Sequence, residues 1–374
     1  MLRYVAAALV AAGPALAGGY DSLEALGEAL FFDVNLSANR TQACATCHNP
    51  DFGFVDPRES SAGRAVSLGD DGVSLGDRNA PSAAYARFSP AFAALDPGVW
   101  HGGLFLDGRE ADLAGQAGGP PLNPIEMGMA DKPSVVARLQ ENPDYVAGFT
   151  ALFGPDVWDD PEAAYGAMTR AIAAFEETDL FAPFTSKYDR YLRGEVSLTN
   201  QEELGRVLFF SEQFTNCNLC HQLRASPIAG DETFSNYEYH NIGVPANAAV
   251  RALNGVEGPD HGLLAHPGID DPAADGRFKV PSLRNVAVTG PYMHNGVFED
   301  LRTVVLFYNM YNSTDPARRV NPETGVEFAA PEVPGTLSMK ELETGPALDD
   351  KRIDALVAFL KTLTDERYEH LLEE

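Results

Sequence analysis

All four cysteines of this 374-residue chain belong to two copies of one short motif. The copies, each of the form C-x-x-C-H, are Cys44-Ala-Thr-Cys47-His48 and Cys217-Asn-Leu-Cys220-His221. In this pattern the two thiols form thioethers to the vinyl groups of a haem, and the adjoining histidine is the proximal iron ligand. Because the motifs use every cysteine, the sequence predicts two covalent haem c groups rather than disulfides or a zinc site.

The N-terminus predicts export. Arg3 precedes an apolar run that closes with Ala15-Leu16-Ala17, a small-residue cleavage pattern. The run is shorter than the roughly 20 apolar residues that a membrane-spanning helix needs. We therefore expect residues 1–17 to be a signal peptide and the mature chain to be a periplasmic protein, in the compartment where haem c is attached.

The charge of the chain excludes several classes of partner. The formal net charge is −27 at pH 7. Such a surface repels phosphate backbones and anionic lipids, so the sequence argues against nucleic-acid and membrane partners. An acidic, solvated surface explains the charge by itself, and a protein partner with a basic patch is also compatible with it.

A second repeat accompanies the two motifs. The segment Leu26–Phe32 (LGEALFF) precedes the first motif, and Leu204–Phe210 (LGRVLFF) precedes the second. The apolar spacing of both is helical, and Thr199 with Glu202 has the pattern of a capping box. This duplication predicts two cytochrome c-like domains, residues 18–190 and 191–374, with a boundary near 183–197.

The remaining patterns indicate a mainly α fold with long irregular loops. Gly- and Pro-rich sequence extends from about Asn49 to Pro133. Helices are predicted over 134–153, from Pro161 through Phe175 with Asp160 as the N-cap, and over 353–363 at the C-terminus. Strand signals are sparse. The predicted architecture is therefore two helical haem domains wrapped by irregular loops.

Several segments resemble the bacterial dihaem cytochrome c peroxidases and their MauG-type relatives, and together they span essentially the whole mature chain. They are Phe278–Asn285 (FKVPSLRN), Thr289–Gly296 (TGPYMHNG), Gly69–Gly72, Gly76–Asn79, Leu122–Met127, Phe184–Arg190, Tyr237–Gly243 and Asn309–Gly325. The resemblance implies a haem-dependent oxidoreductase with a high-spin haem at His48, open on its distal side, and a low-spin haem at His221.

The resemblance separates two branches of the family by one ligand. The peroxidases carry a methionine ligand fourteen residues after the histidine of their Pro-Tyr-x-His segment, whereas the MauG-type branch has tyrosine; fourteen residues after His294 lies Tyr308. The peroxidases also place a histidine about eight residues before the equivalent of Asn79, and this chain has none there. Tyr308 is thus implied as the second iron ligand opposite His221, with Met293 and Met310 as rival ligands.

Other site residues are implied by the resemblance alone. On the distal side of the first haem, Glu126 matches an acid that moves a proton between peroxide oxygens, Gln116 a hydrogen-bonding residue and Pro120 a residue that lines the pocket. One calcium ion is implied between the haems, bound by the Asn79 side chain and the main-chain carbonyls of Thr289 and Pro291. Oxygen donors suit that cation.

Three functions remain open from the sequence. The leading one is oxidation of tryptophans in a methylamine dehydrogenase precursor during tryptophan tryptophylquinone maturation, with peroxide or oxygen as oxidant. The second is reduction of hydrogen peroxide with a small periplasmic electron-transfer protein, and the third is electron transfer alone. Two departures from the MauG-type pattern weaken the first: Leu106 and Thr215 stand where those relatives have tryptophan.

Overall fold

The computed structural model describes residues 20–224, 226, 228–343 and 345–373. The predicted signal peptide lies outside the described residues. Helices dominate these ranges, so the prediction of a mainly α fold is confirmed. None of the helices described there combines the length and apolar character that crossing a bilayer requires.

Seven helices precede residue 193, and most begin at a capping side chain. Ser22, Asp112, Asp131, Asn142, Asp160 and Ser186 each accept a hydrogen bond from a backbone N–H of the first turn. The helices in the described residues are α1 Leu23–Phe31, α2 Cys44–Cys47, α3 Leu113–Ala117, α4 Lys132–Gln140, α5 Pro143–Phe153, α6 Pro161–Glu176 and α7 Lys187–Leu192.

Six more helices follow in the described second half. The first begins at the predicted capping box, where the Thr199 N–H donates to Glu202 Oε2 at 2.7 Å and the Glu202 N–H donates to Thr199 Oγ1 at 3.3 Å. They are α8 Asn200–Phe209, α9 Cys217–Cys220, α10 Ala248–Asn254, α11 Leu301–Met310, α12 Met339–Leu342 and α13 Asp350–Lys361.

Strands are few, as predicted. Within the described residues there are two small antiparallel sheets of two strands each. In the first, β1 (Ala93–Asp96) pairs with β2 (Val99–His101), with Ala93 opposite His101. In the second, β3 (Tyr239–His240) pairs with β4 (Phe278–Lys279), with Tyr239 opposite Lys279.

One predicted helix was wrong. The single helix expected over 134–153 is two helices, α4 and α5, because Pro143 cannot continue a helix and disfavours helical backbone in the residue before it. Asn142 begins the new helix by accepting the Asp144 N–H at 3.0 Å. The helix predicted from Pro161 is confirmed as α6, with Asp160 as its N-cap.

Two helix pairs organise two apolar cores. Helix α1 packs on α6 and α8 packs on α13, each at a glycine of the repeated Leu-Gly segment. A Cβ on Gly27 would lie 1.9 Å from the Ala171 carbonyl oxygen, and one on Gly205 would lie 1.9 Å from that of Ala355. The first core draws its buried residues from 26–182 and the second from 188–363.

Candidate active site

The first C-x-x-C-H motif forms helix α2, and His48 follows as its C-cap. His48 Nδ1 lies 3.2 Å from the carbonyl oxygen of Phe54. Because a carbonyl only accepts, Nδ1 must carry the proton, so Nε2 keeps the lone pair that a metal ligand needs. Burial lowers the pKa of His48, which favours the same neutral form.

The second motif repeats this geometry. His221 caps α9, its Nδ1 lies 3.0 Å from the carbonyl oxygen of Phe234, and burial lowers its pKa to about 4. Phe54 and Phe234 both have left-handed backbone, with φ of 59° and 57°. The two histidines are therefore oriented by equivalent turns, and each presents Nε2 as the ligand atom.

Burial disfavours the thiolate form of three of the four motif cysteines. Burial raises the pKa of Cys44 and of Cys47 to about 12, and that of Cys217 to about 11. Thiolates are the form that binds zinc. In the described residues no group of three or more His, Cys, Asp or Glu side chains is placed to hold a metal ion. Each motif pairs two thiols with an adjoining histidine, an arrangement that fits haem attachment.

A cavity of about 340 Å³ opens beside the second motif. Its lining includes both motif cysteines, His221, Tyr308 and Met293, whereas Met310 is not among the described residues that border it. Burial and the nearby Cys220 and Cys217 thiols raise the pKa of the Tyr308 phenol. Burial thus favours the neutral phenol, and a cation beside it is needed to stabilise the phenolate form.

The three predicted distal residues lie in one continuous segment. Gln116 is in α3 and its carbonyl accepts the Gly119 N–H at 3.0 Å, while the Pro120 carbonyl accepts the Met127 N–H at 3.3 Å. Glu126 Oε1 accepts from Asn123 Nδ2 at 2.8 Å.

Glu126 belongs electrostatically to the first motif. Its charge raises the pKa of both the Cys44 and Cys47 thiols, and burial in turn raises the pKa of the Glu126 carboxyl. A carboxyl whose pKa is raised in this way holds a proton more readily than an exposed glutamate does. It is therefore suited to proton transfer.

The three residues implied for calcium border the cavity together. Asn79 comes from the first half of the chain, and Thr289 and Pro291 come from the second. The Asn79 N–H donates to the His294 carbonyl at 2.8 Å, and its Nδ2 donates to the Ala65 carbonyl at 3.0 Å. The amide oxygen of Asn79 is thus held as the acceptor end, and amide and carbonyl oxygens suit a hard cation.

The cavity also holds groups that sequence reasoning missed. The rings of Phe278 and His294 stack, with their centroids 3.7 Å apart and their planes inclined by 11°. His294 Nε2 is buried and has no hydrogen-bond partner among the residues that the structure describes; it lies 3.9 Å from Glu332 Oε2, and burial lowers the His294 pKa. His294 lies in the Pro-Tyr-Met-His segment, but its partners are distant in sequence, so local pattern carried no signal of this stack.

Its relatives identify this chain as a haem-dependent oxidoreductase, and the chain belongs to the dihaem cytochrome c peroxidase family. The family model described as di-haem cytochrome c peroxidase matches residues 21–197.

Particular relatives refine the placement within that family. The chain is 58% identical over 356 residues to the methylamine utilization protein MauG of Paracoccus denitrificans, covering 95% of this chain and 91% of that protein. It is 30% identical over 346 residues to the cytochrome c551 peroxidase of Nitrosomonas europaea, covering 91% and 80%. The crystal structure of the diheme peroxidase BthA from Burkholderia thailandensis superposes with a TM-score of 0.82 at 34% identity, covering 94% of this chain and 87% of that one. The chain is thus a MauG-like dihaem enzyme.

Proposed function

We propose that this protein oxidises two tryptophans in a precursor of methylamine dehydrogenase during tryptophan tryptophylquinone maturation in the periplasm. Hydrogen peroxide, or oxygen together with an electron donor, supplies the oxidising equivalents. The observation that carries the proposal is Tyr308, because its buried phenol borders the same cavity as His221. The high identity to MauG of Paracoccus denitrificans supports the same conclusion.

The two motifs bind two covalent haem c groups, one in each of the domains 18–190 and 191–374. Cys44 and Cys47 attach the first haem and His48 ligates its iron; Cys217, Cys220 and His221 do the same for the second. When bound, the haems supply the redox chemistry. Tyr308 would provide a further ligand to the second haem iron, and its phenolate, a hard anionic oxygen donor, would favour oxidised iron over reduced iron.

At the first haem site, the chain's own residues would transfer the peroxide proton. Glu126 takes a proton from one oxygen of peroxide and returns it to the other, so that water leaves. The 2.8 Å hydrogen bond from Asn123 fixes the carboxyl while it does so. Gln116 contributes a hydrogen bond to the bound oxidant, and Pro120 limits the space around it.

Calcium fills the position between Asn79, Thr289 and Pro291. These residues come from both halves of the chain, and they border the cavity beside the second motif. Asn79, Thr289 and Pro291 would hold the ion through oxygen atoms from both halves of the chain, and the bound ion would link the halves at the cavity wall.

A peroxidase reaction with a small periplasmic electron donor is the second candidate. It is favoured by Leu106 and Thr215, which border the cavity where the MauG-type pattern has tryptophan. Long-range oxidation of a protein needs side chains, usually aromatic ones, that can be oxidised and reduced in turn. Neither leucine nor threonine can do so.

One experiment separates the two candidates. The holoprotein is incubated with a methylamine dehydrogenase precursor and hydrogen peroxide while quinone absorbance is followed. Appearance of the quinone supports precursor oxidation. Rapid steady-state peroxide reduction with a reduced small cytochrome, and no quinone, would establish the peroxidase instead.

A further inference from the structure

Tyr85 occupies an unusual backbone position for a tyrosine. Its φ is 61°, in the left-handed region that glycine and asparagine favour. The second half of the chain has Asn285 at the equivalent place, with φ of 62°, and a short 3-10 turn follows each residue. A bulky side chain in this conformation carries a backbone cost. The side chain is nevertheless fully enclosed, with an exposed fraction of 1%.

The Tyr85 phenol faces a buried base. Its Oη lies 2.9 Å from Asp365 Oδ1 and 3.0 Å from Oδ2, and Asp365 is 0% exposed. The carboxylate is held by Asn285 Nδ2 at 3.0 Å and by the Thr185 N–H at 3.1 Å. The Phe184 N–H donates to Tyr85 Oη at 3.1 Å, so the phenol oxygen keeps a donor when its own proton leaves.

Tyr85 is connected to both proximal histidines through short paths. On one side, the Phe54 carbonyl oxygen accepts a hydrogen bond from the N–H of Ala83, which lies two residues before Tyr85. The same oxygen contacts His48 Nδ1, and both distances are 3.2 Å. On the other side, the Arg284 guanidinium lies 5.3 Å from the Tyr85 ring and 5.3 Å from the Phe234 ring.

The second of these paths ends at the other haem ligand, because the Phe234 carbonyl contacts His221 Nδ1. The phenol therefore lies between the ligand turns of the two motifs.

We propose that Tyr85 is a redox-active residue that gives one electron to the peroxide-oxidised haem pair while its phenolic proton passes to Asp365. The O–H bond of Tyr85 breaks and an O–H bond forms on the carboxylate. Tyr85 is oxidised to a neutral radical, and the haem pair is reduced by one equivalent. This inference rests on the proposed reaction with peroxide and adds an internal electron donor to it.

Coupling of the proton to the electron is what makes the step possible in a buried site. Burial raises the pKa of Tyr85, so the phenol does not ionise alone. Oxidation without proton loss would leave a cationic ring away from water, which is costly. Transfer to Asp365 replaces one buried carboxylate by a carboxylic acid and leaves the ring neutral. Tyr85 stays neutral because it loses one electron and one proton together, and the net charge of the Tyr85–Asp365 pair changes only by that of the departing electron.

Two other buried tyrosines donate to main-chain carbonyls instead of to a carboxylate. Tyr368 donates to the Pro50 carbonyl at 2.8 Å, and Tyr165 donates to the Gly118 carbonyl at 2.8 Å. A backbone carbonyl accepts a hydrogen bond but does not take up a proton at ordinary pH. Tyr368 is 2% exposed and so provides a matched control for Tyr85.

The test is electron paramagnetic resonance of the holoprotein, freeze-quenched after mixing with hydrogen peroxide without precursor. We expect a tyrosyl radical that changes its hyperfine pattern when the protein carries ring-deuterated tyrosine. Tyr85→Phe should lose this signal, Asp365→Asn should diminish it because the amide does not take the proton, and Tyr368→Phe should keep it. A purely structural hydrogen bond predicts no such pattern.

The outcomes are distinct. If peroxide changes the haem optical spectrum, two results overturn this inference alone. They are a tyrosyl signal that Tyr85→Phe leaves unaltered, and no tyrosyl signal in the wild type. No haem optical change overturns the proposed function and this inference with it. If Tyr85→Phe does not fold, 3-fluorotyrosine placed at position 85 keeps the hydroxyl. Fluorine splitting of the radical signal then supports the assignment, and an unsplit signal overturns it.

Discussion

At the scale of single residues, Glu126 shows how burial prepares a group for chemistry. Its carboxyl is partly buried against the first motif and fixed by Asn123. The same burial that raises its pKa makes its charge costly, and the Asn123 amide offsets part of that cost. The result is a carboxyl group with a raised pKa and one defined orientation, which suits the proposed proton transfer.

We predict that Glu126→Gln retains both haems but reacts with peroxide roughly 10²- to 10⁴-fold more slowly, because an amide does not shuttle a proton. The wild-type rate should rise with pH through the raised pKa of Glu126, since the carboxylate is the form that accepts a proton from peroxide. The variant should show no such rise. Rapid-mixing spectroscopy across pH measures both, and unchanged kinetics would contradict the role of Glu126.

Tyr308 is the residue that decides between the two branches of the family. We expect Tyr308→His to keep a coordinated second haem but to lose the anionic oxygen that stabilises oxidised iron. Peroxide should still react at the first haem, because His48 and Glu126 are untouched. Oxidising equivalents should then stay there, and a precursor protein should not be oxidised.

Mössbauer and near-infrared spectra of the peroxide-treated protein report where the oxidising equivalents reside. Met293→Leu is the matched control, since Met293 borders the same cavity. If the Tyr308 variant gave the wild-type spectra and the Met293 variant did not, the ligand would be Met293 and the peroxidase reaction would be preferred.

At the scale of elements, each half of the chain depends on one close helix pair. The repeated Leu-Gly segment puts Gly27 of α1 against α6 and Gly205 of α8 against α13. In both places the neighbour is a main-chain carbonyl, which cannot move aside as a side chain does. The glycines therefore set the distance at which the helices that precede the haem motifs pack.

We predict that Gly27→Ala and Gly205→Ala each lower the free energy of unfolding by about 1–3 kcal/mol or more, the cost of overpacking a rigid contact. Gly166→Ala in α6 is the control, because its Cβ would meet only the end of the Arg170 side chain at 3.3 Å. That change should stabilise the helix by up to about 1 kcal/mol. Denaturant unfolding measures all three, and equal stability of Gly166→Ala and Gly205→Ala would contradict the packing argument.

Helix α6 ends in a carboxyl group that has no use in the proposed reaction. Glu176 is buried, its Oε2 has no hydrogen-bond partner within the described part of the chain, and burial raises its pKa to about 8. In the unfolded chain a glutamate titrates near pH 4.3. Between these values the native state keeps a proton that the unfolded state has lost, so stability falls as pH rises.

We therefore predict that Glu176→Gln changes stability little below about pH 4 and stabilises the protein increasingly above it. The gain should be about 1.4 kcal/mol for each pH unit until the native group ionises. Thermal unfolding of variant and wild type as a function of pH measures the difference. Glu177→Gln, at the next and exposed position, should show no comparable pH dependence. A difference that does not change with pH would contradict a protonated Glu176.

At the scale of the whole molecule, the two halves are joined by polar contacts that cross between them. Arg78 pairs with Asp260 at 2.6 Å, Arg64 Nη2 donates to the Gly290 carbonyl at 2.7 Å, and Tyr85 reaches Asp365. The proposed calcium position lies on the same boundary. Directional polar contacts therefore connect the two halves of the chain.

We predict that removing calcium with a chelator perturbs the absorption spectra of both haems, and that adding calcium restores them. The reason is that Asn79, Thr289 and Pro291 come from both halves and border a shared cavity. Asn79→Ala should resemble the chelated wild type, and magnesium should restore the spectra less well because it demands a smaller, more regular oxygen shell. Spectra indifferent to chelation would exclude the ion.

The sequence alone determined the features that depend on neighbours along the chain. The C-x-x-C-H motifs predicted both haem sites because attachment and proximal ligation need residues within five positions of each other. Helix periodicity and caps predicted α6 and α8, since those contacts recur every three or four residues. The same reasoning failed at Pro143, where one residue divides a helical pattern. Glu126, Tyr308 and the calcium residues came from resemblance, not from periodicity.

Only the tertiary structure decided which distant groups meet. Tyr85 and Asp365 are 280 positions apart, and the Phe278–His294 stack and the cavity shared by Asn79 and Thr289 likewise join separate segments. Such contacts have no sequence period, because they depend on how whole helices and loops pack. Local spacing fixes the chemistry that a short segment can hold, whereas packing fixes which buried donor faces which buried acceptor, and hence where a proton or an electron can go.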